Sequence, residues 1–182
     1  MDLIPNFTER QRIFRSRTEQ LTATTSDVQI TCFGTSIWDE TLYKAWSAVA
    51  YSLVPNIDRL HDALHKLCQL CNADEIVLFE QVTFLVISNA ENSALERQHH
   101  DVHRHEKMSN IIKQFKLCCN TMKVSFRSIQ VHNTYYSAYM DIFTPTTYIM
   151  VICSEPKLTT YGIQINIAAA RRIFDNIMSS IE

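Results

Sequence analysis

Two glycines in 182 residues constrain this chain more than any other feature of its sequence. An average chain of this length would carry about a dozen. A loop that wraps a phosphate needs glycine, because its backbone N–H groups must approach the phosphate without a side chain in the way. Gly34 and Gly162 cannot supply such a loop. The sequence therefore predicts neither a P-loop nor a dinucleotide-binding fingerprint.

The overall composition is that of an ordinary globular protein, with 46% hydrophobic and 20% charged residues. A net charge of −2 gives no general attraction to nucleic acid or anionic lipid, so we expect no nucleic-acid partner. No apolar run is long enough to span a bilayer, and the first residues lack the order of a secretion signal. The six cysteines lie in apolar surroundings, which is typical of reduced thiols in a reducing compartment.

From residue 56 onward, the spacing of apolar residues predicts the element order α-β-β-α-β-β-β-α. The predicted helices are residues 57–71, 102–122 and 160–180, and the predicted strands are residues 75–79, 82–88, 126–131, 135–143 and 147–153. Asp101 is the predicted cap of the helix over 102–122, whose predicted core face consists of Met108, Ile111, Ile112, Phe115, Cys119 and Met122. The first two strands are expected to form a hairpin with a tight turn at Glu80 and Gln81. Five strands with helices between them predict one antiparallel sheet covered by helices, an α+β fold.

The first 54 residues predict only a helix over 6–21, a strand over 28–33 and a helix over 39–54. A single strand cannot make a sheet, so this segment reads as the end of a larger α/β domain. We therefore predict two parts, residues 1–54 and residues 55–182.

Three clusters each have a functional and a structural interpretation. Cys68 and Cys71 have the spacing of half a zinc site, but they lie in a predicted helix without a second pair, which favours buried structural thiols. The four histidines in residues 99–105 could bind a metal. The favoured interpretation is that they are solvated side chains in a loop and in the exposed first turn of a helix. The four arginines in residues 10–17 could contact phosphates, yet a solvated helix face is favoured. We predict no catalytic residue and no metal site.

Two longer stretches resemble a known family. Residues 35–47 closely resemble the end of the GTPase domain in Rag GTPases of the A/B type, and residues 109–118 resemble the long helix of their carboxy-terminal roadblock domain. Residues 74–80 and 83–88 fit the first hairpin of that domain, and the likeness covers the whole chain. The sequence departs from the family pattern in the 89–100 loop and at His105, where an aromatic residue is expected.

The resemblance implies a roadblock/longin-like domain preceded by an incomplete GTPase domain. It assigns Asp2 to the guanine-specifying motif, and Thr35, Ser36 and Ile37 to a second loop that contacts the base. The P-loop and both switch regions of the family are missing from this stretch. We therefore expect the chain as it stands to be no enzyme, with GTP or GDP and Mg²⁺ bound only by the full-length parent.

The resemblance also implies the partners. Rag GTPases pair an A/B-type subunit with a C/D-type subunit through their roadblock domains, and the pair docks on a Ragulator-like (in yeasts, EGO) scaffold. It relays amino-acid sufficiency to the target-of-rapamycin kinase complex. The implied location is the cytoplasm, peripheral to the lysosomal or vacuolar membrane without direct insertion, with the nucleus as a second location. The alternative is a fragment of an active GTP-hydrolysing enzyme whose catalytic half lies outside this chain.

By the same resemblance, pairing uses the third strand of the roadblock domain as a sheet edge, beside the helix over 102–122. The predicted interface residues are Phe126, Arg127, Ile129, Val131, Ile112 and Lys116.

Overall fold

The computed structural model describes residues 4, 6–25, 28–92, 103–132, 134, 136–154 and 160–179. The chain divides into two compact units, Met1–Trp46 and Ser47–Glu182. The boundary predicted between residues 54 and 55 stays a prediction. The helices are α1 (Phe7–Thr24), α2 (Thr41–Ser52), α3 (Ile57–Leu70), α4 (Arg104–Thr121) and α5 (Thr160–Ser179), and the strands are β1 (Glu75–Glu80), β2 (Val86–Glu91), β3 (Ser128–His132), β4 (Ser137–Thr144) and β5 (Thr147–Cys153).

The second unit is built on one antiparallel sheet with the strand order β2-β1-β5-β4-β3. Strands β1 and β5 lie inside the sheet and are buried on both faces, as their nearly unbroken apolar sequences require. Strands β2 and β3 lie at its two edges. The predicted α+β fold class and the order α-β-β-α-β-β-β-α are confirmed.

Helices cover both faces of this sheet, and the sheet separates the hydrophobic core into two clusters. On one face, α3 and α5 pack their apolar residues against Ile76, Ile149 and Val151. The buried residues of α3 and α5 follow a helical spacing, and they are Leu60, Leu64, Leu67, Cys68, Ile163, Ile167, Ala170 and Phe174. On the other face, α4 alone packs against Val77, Met140 and Met150.

The strand predicted over residues 28–33 is wrong, since these described residues form no strand. A strand is held by hydrogen bonds to a neighbouring strand, and the described part of the first unit supplies no such neighbour. Helix α1 has no buried residue, and it exposes Phe7 and Leu21. The arginines of α1 accordingly lie on a largely exposed helix, where Arg15 pairs with Glu19 at 3.3 Å.

The turn predicted at Glu80 and Gln81 is also wrong, because β2 begins only at Val86. The connection is the five-residue loop between β1 and β2, residues 81–85. Glu80 closes this loop by accepting hydrogen bonds from the backbone N–H groups of Val82 and Thr83, at 2.9 and 2.6 Å. Phe84, the fourth residue of this loop, has a φ of 54°, a left-handed conformation that few residues other than glycine adopt.

Among the described residues, no helix combines the length and the apolar character needed to cross a membrane.

Candidate interaction surface

Strand β3 is an open edge of the sheet. It pairs with β4 on one side, from Ser128 opposite Asp141 to His132 opposite Ser137, and it has no strand on its other side within the described residues. Four of its five residues are exposed. Ile129 and Val131 point to the same face of the sheet as α4, because Ile129 lies opposite Met140, which belongs to the α4 side of the core. An edge of this kind offers unpaired N–H and C=O groups to a further strand.

Helix α4 is anchored to the β1–β2 loop along one flank. The Ser109 hydroxyl donates to the carbonyl of Phe84 at 2.7 Å and is fully buried. The Lys116 ammonium donates to the carbonyl of Gln81 at 3.1 Å and lies 4.9 Å from the centre of the Phe84 ring. On the opposite flank, the ring of Phe115 packs edge-on against Phe126, with centroids 5.8 Å apart. These contacts turn that second flank toward β3.

The first turn of α4 is held by a buried carboxylate on β1. Glu75 is only 3% exposed and accepts two hydrogen bonds from the Arg104 guanidinium, at 3.2 and 2.9 Å. His105 Nε2 lies 2.9 Å from the same carboxylate, and Arg104 also contacts Glu91. Burial by itself would raise the pKa of Glu75, but the hydrogen bonds from His105 and Arg104 outweigh it and lower the pKa to about 2.

This carboxylate makes the stability of the fold depend on pH. Because the pKa of Glu75 is lower in the folded chain than its ordinary value of 4.5, its contribution is complete above about pH 4.5 and is lost as the pH falls toward about 2. We expect Glu75→Gln to lower the free energy of unfolding by about 3 kcal/mol at neutral pH, and by progressively less in acid. Urea unfolding measured across this pH range checks the prediction.

The matched control is Glu91→Gln, which removes the more exposed partner of Arg104. We expect it to cost less than about 1 kcal/mol, because partly exposed ion pairs contribute little. A cost for Glu75→Gln that stays constant down to about pH 2 would contradict the prediction.

The flank of α4 that faces β3 carries an apolar seam that its own domain leaves largely open. Its members recur at alternating intervals of three and four residues, and they are Met108, Ile111, Phe115, Cys118 and Met122. This is the spacing that coiled coils use to pair helices. Ile111 is 65% exposed, and Phe115 and Met122 are exposed as well. We call these five residues the α4 seam.

The predicted interface residues separate into two groups in the structure. Val131 and Arg127 are exposed, and Ile129 is partly buried at the edge strand. Ile112 and Phe126 are instead buried in the core, and Phe126 precedes β3 rather than lying in it. Lys116 donates a hydrogen bond to the β1–β2 loop. Ile112, Phe126 and Lys116 therefore lie under the surface and support it. The residues that sequence reasoning missed are those of the α4 seam, which its three-and-four spacing could have revealed.

The core face that the sequence predicted for α4 is therefore partly wrong. Ile112 and Cys119 are buried as expected, but Ile111, Phe115 and Met122 are exposed. The helix cap predicted at Asp101 lies outside the described residues, where α4 begins at Arg104.

The residues assigned to guanine contact belong to the first unit. Asp2 is outside the described residues. In the loop before α2, the backbone N–H of Ser36 donates to the hydroxyl of Thr41 at 2.8 Å, and the N–H of Trp38 donates to the hydroxyl of Ser36 at 3.1 Å. These two donors are therefore engaged within the unit, while Thr35 is partly buried and Ile37 is exposed. The assignment of this loop to guanine contact stays a prediction.

The candidate thiol pair is structural. Cys68 and Cys71 are buried in the core between α3 and the sheet, and Cys68 donates to the carbonyls of Ala73 and Ala90. Burial raises the pKa of Cys153 to about 12, with further contributions from Asp74 and the neighbouring thiols, so this thiol stays protonated. Within the part of the chain that the structure describes, no cluster of histidine, cysteine and acidic side chains has the arrangement of a metal site.

Solved structures of other proteins share this fold. The fold is similar to MglB of Myxococcus xanthus, with a TM-score of 0.55 and 16% identity over 68% of this chain and 97% of that one. It is also similar to MglB of Thermus thermophilus, with a TM-score of 0.52 and 8% identity over 83% of this chain and 98% of that one. At this identity the likeness shows the fold alone, the roadblock-type α+β architecture.

The sequence identifies the family within that class. The conserved region of Gtr1/RagA G proteins matches residues 1–112. The chain is 44% identical to Ras-related GTP-binding protein A of Dictyostelium discoideum over 180 residues, which cover 99% of this chain and 58% of that protein. It is 45% identical to Ras-related GTP-binding protein B of Rattus norvegicus over 97% of this chain and 46% of that protein. The chain belongs to the Gtr1/RagA family, and it spans about half the length of these relatives.

Proposed function

We propose that this chain is the carboxy-terminal part of a Rag-type GTP-binding subunit, and that it pairs with the roadblock domain of a C/D-type Rag subunit. The observation that carries the proposal is the open edge of β3 beside the α4 seam. A partner strand would satisfy the unpaired backbone groups of β3, and a partner helix on the seam would exclude water from those bonds. Helix pairing would also fix the register, which strand pairing alone specifies weakly.

In the cell, this pair would dock on a Ragulator-like or EGO-like scaffold. There it would relay amino-acid sufficiency to the target-of-rapamycin kinase complex from the surface of the lysosome or vacuole. This step rests on membership of the Gtr1/RagA family, and it needs no membrane-inserted segment of this chain because the scaffold supplies the attachment.

A proline in the edge strand tests the pairing. Ile129→Pro removes a backbone donor from β3 and strains the strand, so we expect affinity for a C/D-type roadblock domain to fall about thirtyfold. Titration of a fluorescently labelled partner measures the affinity, and circular dichroism checks that the helices remain folded.

The matched control for this variant is Val86→Pro. Val86 lies in β2, the opposite edge strand, and packs against the same part of the core as Ile129. We expect this control to retain the affinity of the unaltered chain. Unchanged affinity in Ile129→Pro would show that β3 is not the pairing edge.

The second candidate is a piece of an active GTP-hydrolysing enzyme, and the greater length of the curated relatives favours it. The natural transcript upstream of Met1 distinguishes the two, since a glycine-rich loop encoded there would restore the catalytic half. In either case GTP or GDP and Mg²⁺ would be held by the parent protein.

For the 182-residue chain alone, we expect no binding of GTP or GDP at micromolar concentration. Contacts to phosphates and Mg²⁺ supply most of the affinity in this class of enzyme, and a sequence with two glycines offers no phosphate loop. A fluorescent GTP analogue measures binding, with the longer Dictyostelium discoideum relative as the positive control. Micromolar or tighter binding to this chain would contradict the prediction.

A further inference from the structure

The charged residues that follow Glu106 in the pairing elements are all basic. Between Glu106 and Asp141 the chain carries no acidic residue, while it carries five basic ones, Lys107, Lys113, Lys116, Lys123 and Arg127. This segment contains most of α4, the turn after it, and all of β3. We propose that the basic surface disfavours pairing of the chain with itself and selects a roadblock partner whose matching helix and strand carry acidic side chains.

The inference rests on the proposed function, because it assumes that α4 and β3 are the pairing elements. A pair of identical chains related by a two-fold axis brings the same surface of each copy together. Every charge that this segment contributes to such a pair is then positive, whatever the register of the strands or helices. Like charges brought together across strands or helices oppose pairing, whereas an acidic partner turns the same groups into attractive contacts.

Two of the five basic residues are well placed to act on a partner. Lys123 and Arg127 are exposed, and neither forms an ion pair with another described residue. They lie between the end of α4 and the start of β3, and Lys123 directly follows the exposed Met122. Lys116 is already engaged by the β1–β2 loop.

The acidic groups that border the segment are occupied within the chain. Glu106 lies close enough to Lys113 to act on its charge. Asp141 accepts a hydrogen bond from the Arg171 guanidinium at 3.1 Å. Among the described residues, neither of these two acids forms an ion pair with Lys123 or Arg127.

The test uses the chain itself as its own acidic partner. In the double variant K123E/R127E, the two exposed cations become carboxylates. At about 0.05 M NaCl, where surface charges are weakly screened, we expect the wild-type chain to bind this variant about tenfold more tightly than it binds itself. Raising NaCl to about 0.5 M should tighten wild-type self-association and weaken the mixed pair. Sedimentation of one fluorescently labelled chain against increasing concentrations of the other measures each constant.

The control is R59E/K66E, which makes the same change of net charge on exposed positions of α3, across the sheet from α4. Equal gain in this control, salt-independent self-association of the wild type, or a mixed pair no tighter than the wild-type pair would overturn the inference. So would binding to vesicles of phosphatidylcholine and phosphatidylserine that K123E/R127E abolishes, because the cations would then serve a lipid surface. Each of these results leaves the proposed pairing with a C/D-type subunit intact. That pairing is tested separately, by Ile129→Pro in β3 and by Ile111→Asp in the α4 seam.

Discussion

Replacing Ile111 with aspartate is expected to weaken binding to a C/D-type roadblock domain more than a hundredfold. Ile111 is 65% exposed in the single chain and is the second of the five residues of the α4 seam. In the proposed pair its side chain would be buried against a partner helix, so an aspartate there would leave a charged group without water. The cost of burying such a group is several kcal/mol, which corresponds to the expected loss of affinity.

The chain offers a closely matched control in Ile165→Asp. Ile165 is 69% exposed and lies on α5, which covers the opposite face of the sheet. We expect this variant to bind the partner as the unaltered chain does, and both variants to unfold near the same urea concentration. Calorimetric titration measures the two affinities. Equal losses in both variants, or no loss in Ile111→Asp, would remove the α4 seam from the interface.

The sequence predicts best those elements whose apolar residues follow a single repeating pattern of burial. Helix α3 buries one stripe, and β5 is buried along both faces, so a single period describes each. The predicted range of β5 agrees with the observed Thr147–Cys153. In such elements the local spacing is sufficient, because the apolar residues that follow it pack within the core of their own domain and not on a second surface.

Helix α4 was predicted less well because its apolar residues serve two surfaces. Ile112 and Cys119 pack on the sheet, while Ile111 and Phe115 lie on the neighbouring flank. A single stripe cannot separate these sets, and only the position of α4 over the sheet distinguishes them. Glu75 shows the same limit, since its burial depends on Arg104 and His105, which lie about thirty residues further along the chain.

The β1–β2 loop was mispredicted for a different reason. Its one left-handed residue is Phe84, where a turn signal would be glycine or asparagine. Tertiary contacts hold this conformation, because the Phe84 ring is fully buried, stacks on Tyr148 with centroids 5.3 Å apart, and lies beneath Lys116. The loop in turn provides the carbonyls that anchor Ser109 and Lys116 of α4. Packing around one aromatic ring thus sets the orientation of the α4 seam.

Phe84→Ala is therefore expected to lower the free energy of unfolding by about 4 kcal/mol, as truncation of a fully buried phenylalanine typically does. Alanine would lose the burial of the ring and keep the unfavourable left-handed backbone, whereas glycine adopts that backbone without strain. We accordingly expect Phe84→Gly to be at least as stable as Phe84→Ala, the reverse of the order seen at ordinary backbone angles. Urea unfolding measures both, with Val82→Ala, at a position 76% exposed in the same loop, as a control that should change stability by less than about 0.5 kcal/mol. A glycine variant clearly less stable than the alanine variant would contradict the left-handed conformation, and a loss below about 1 kcal/mol for Phe84→Ala would contradict its place in the core.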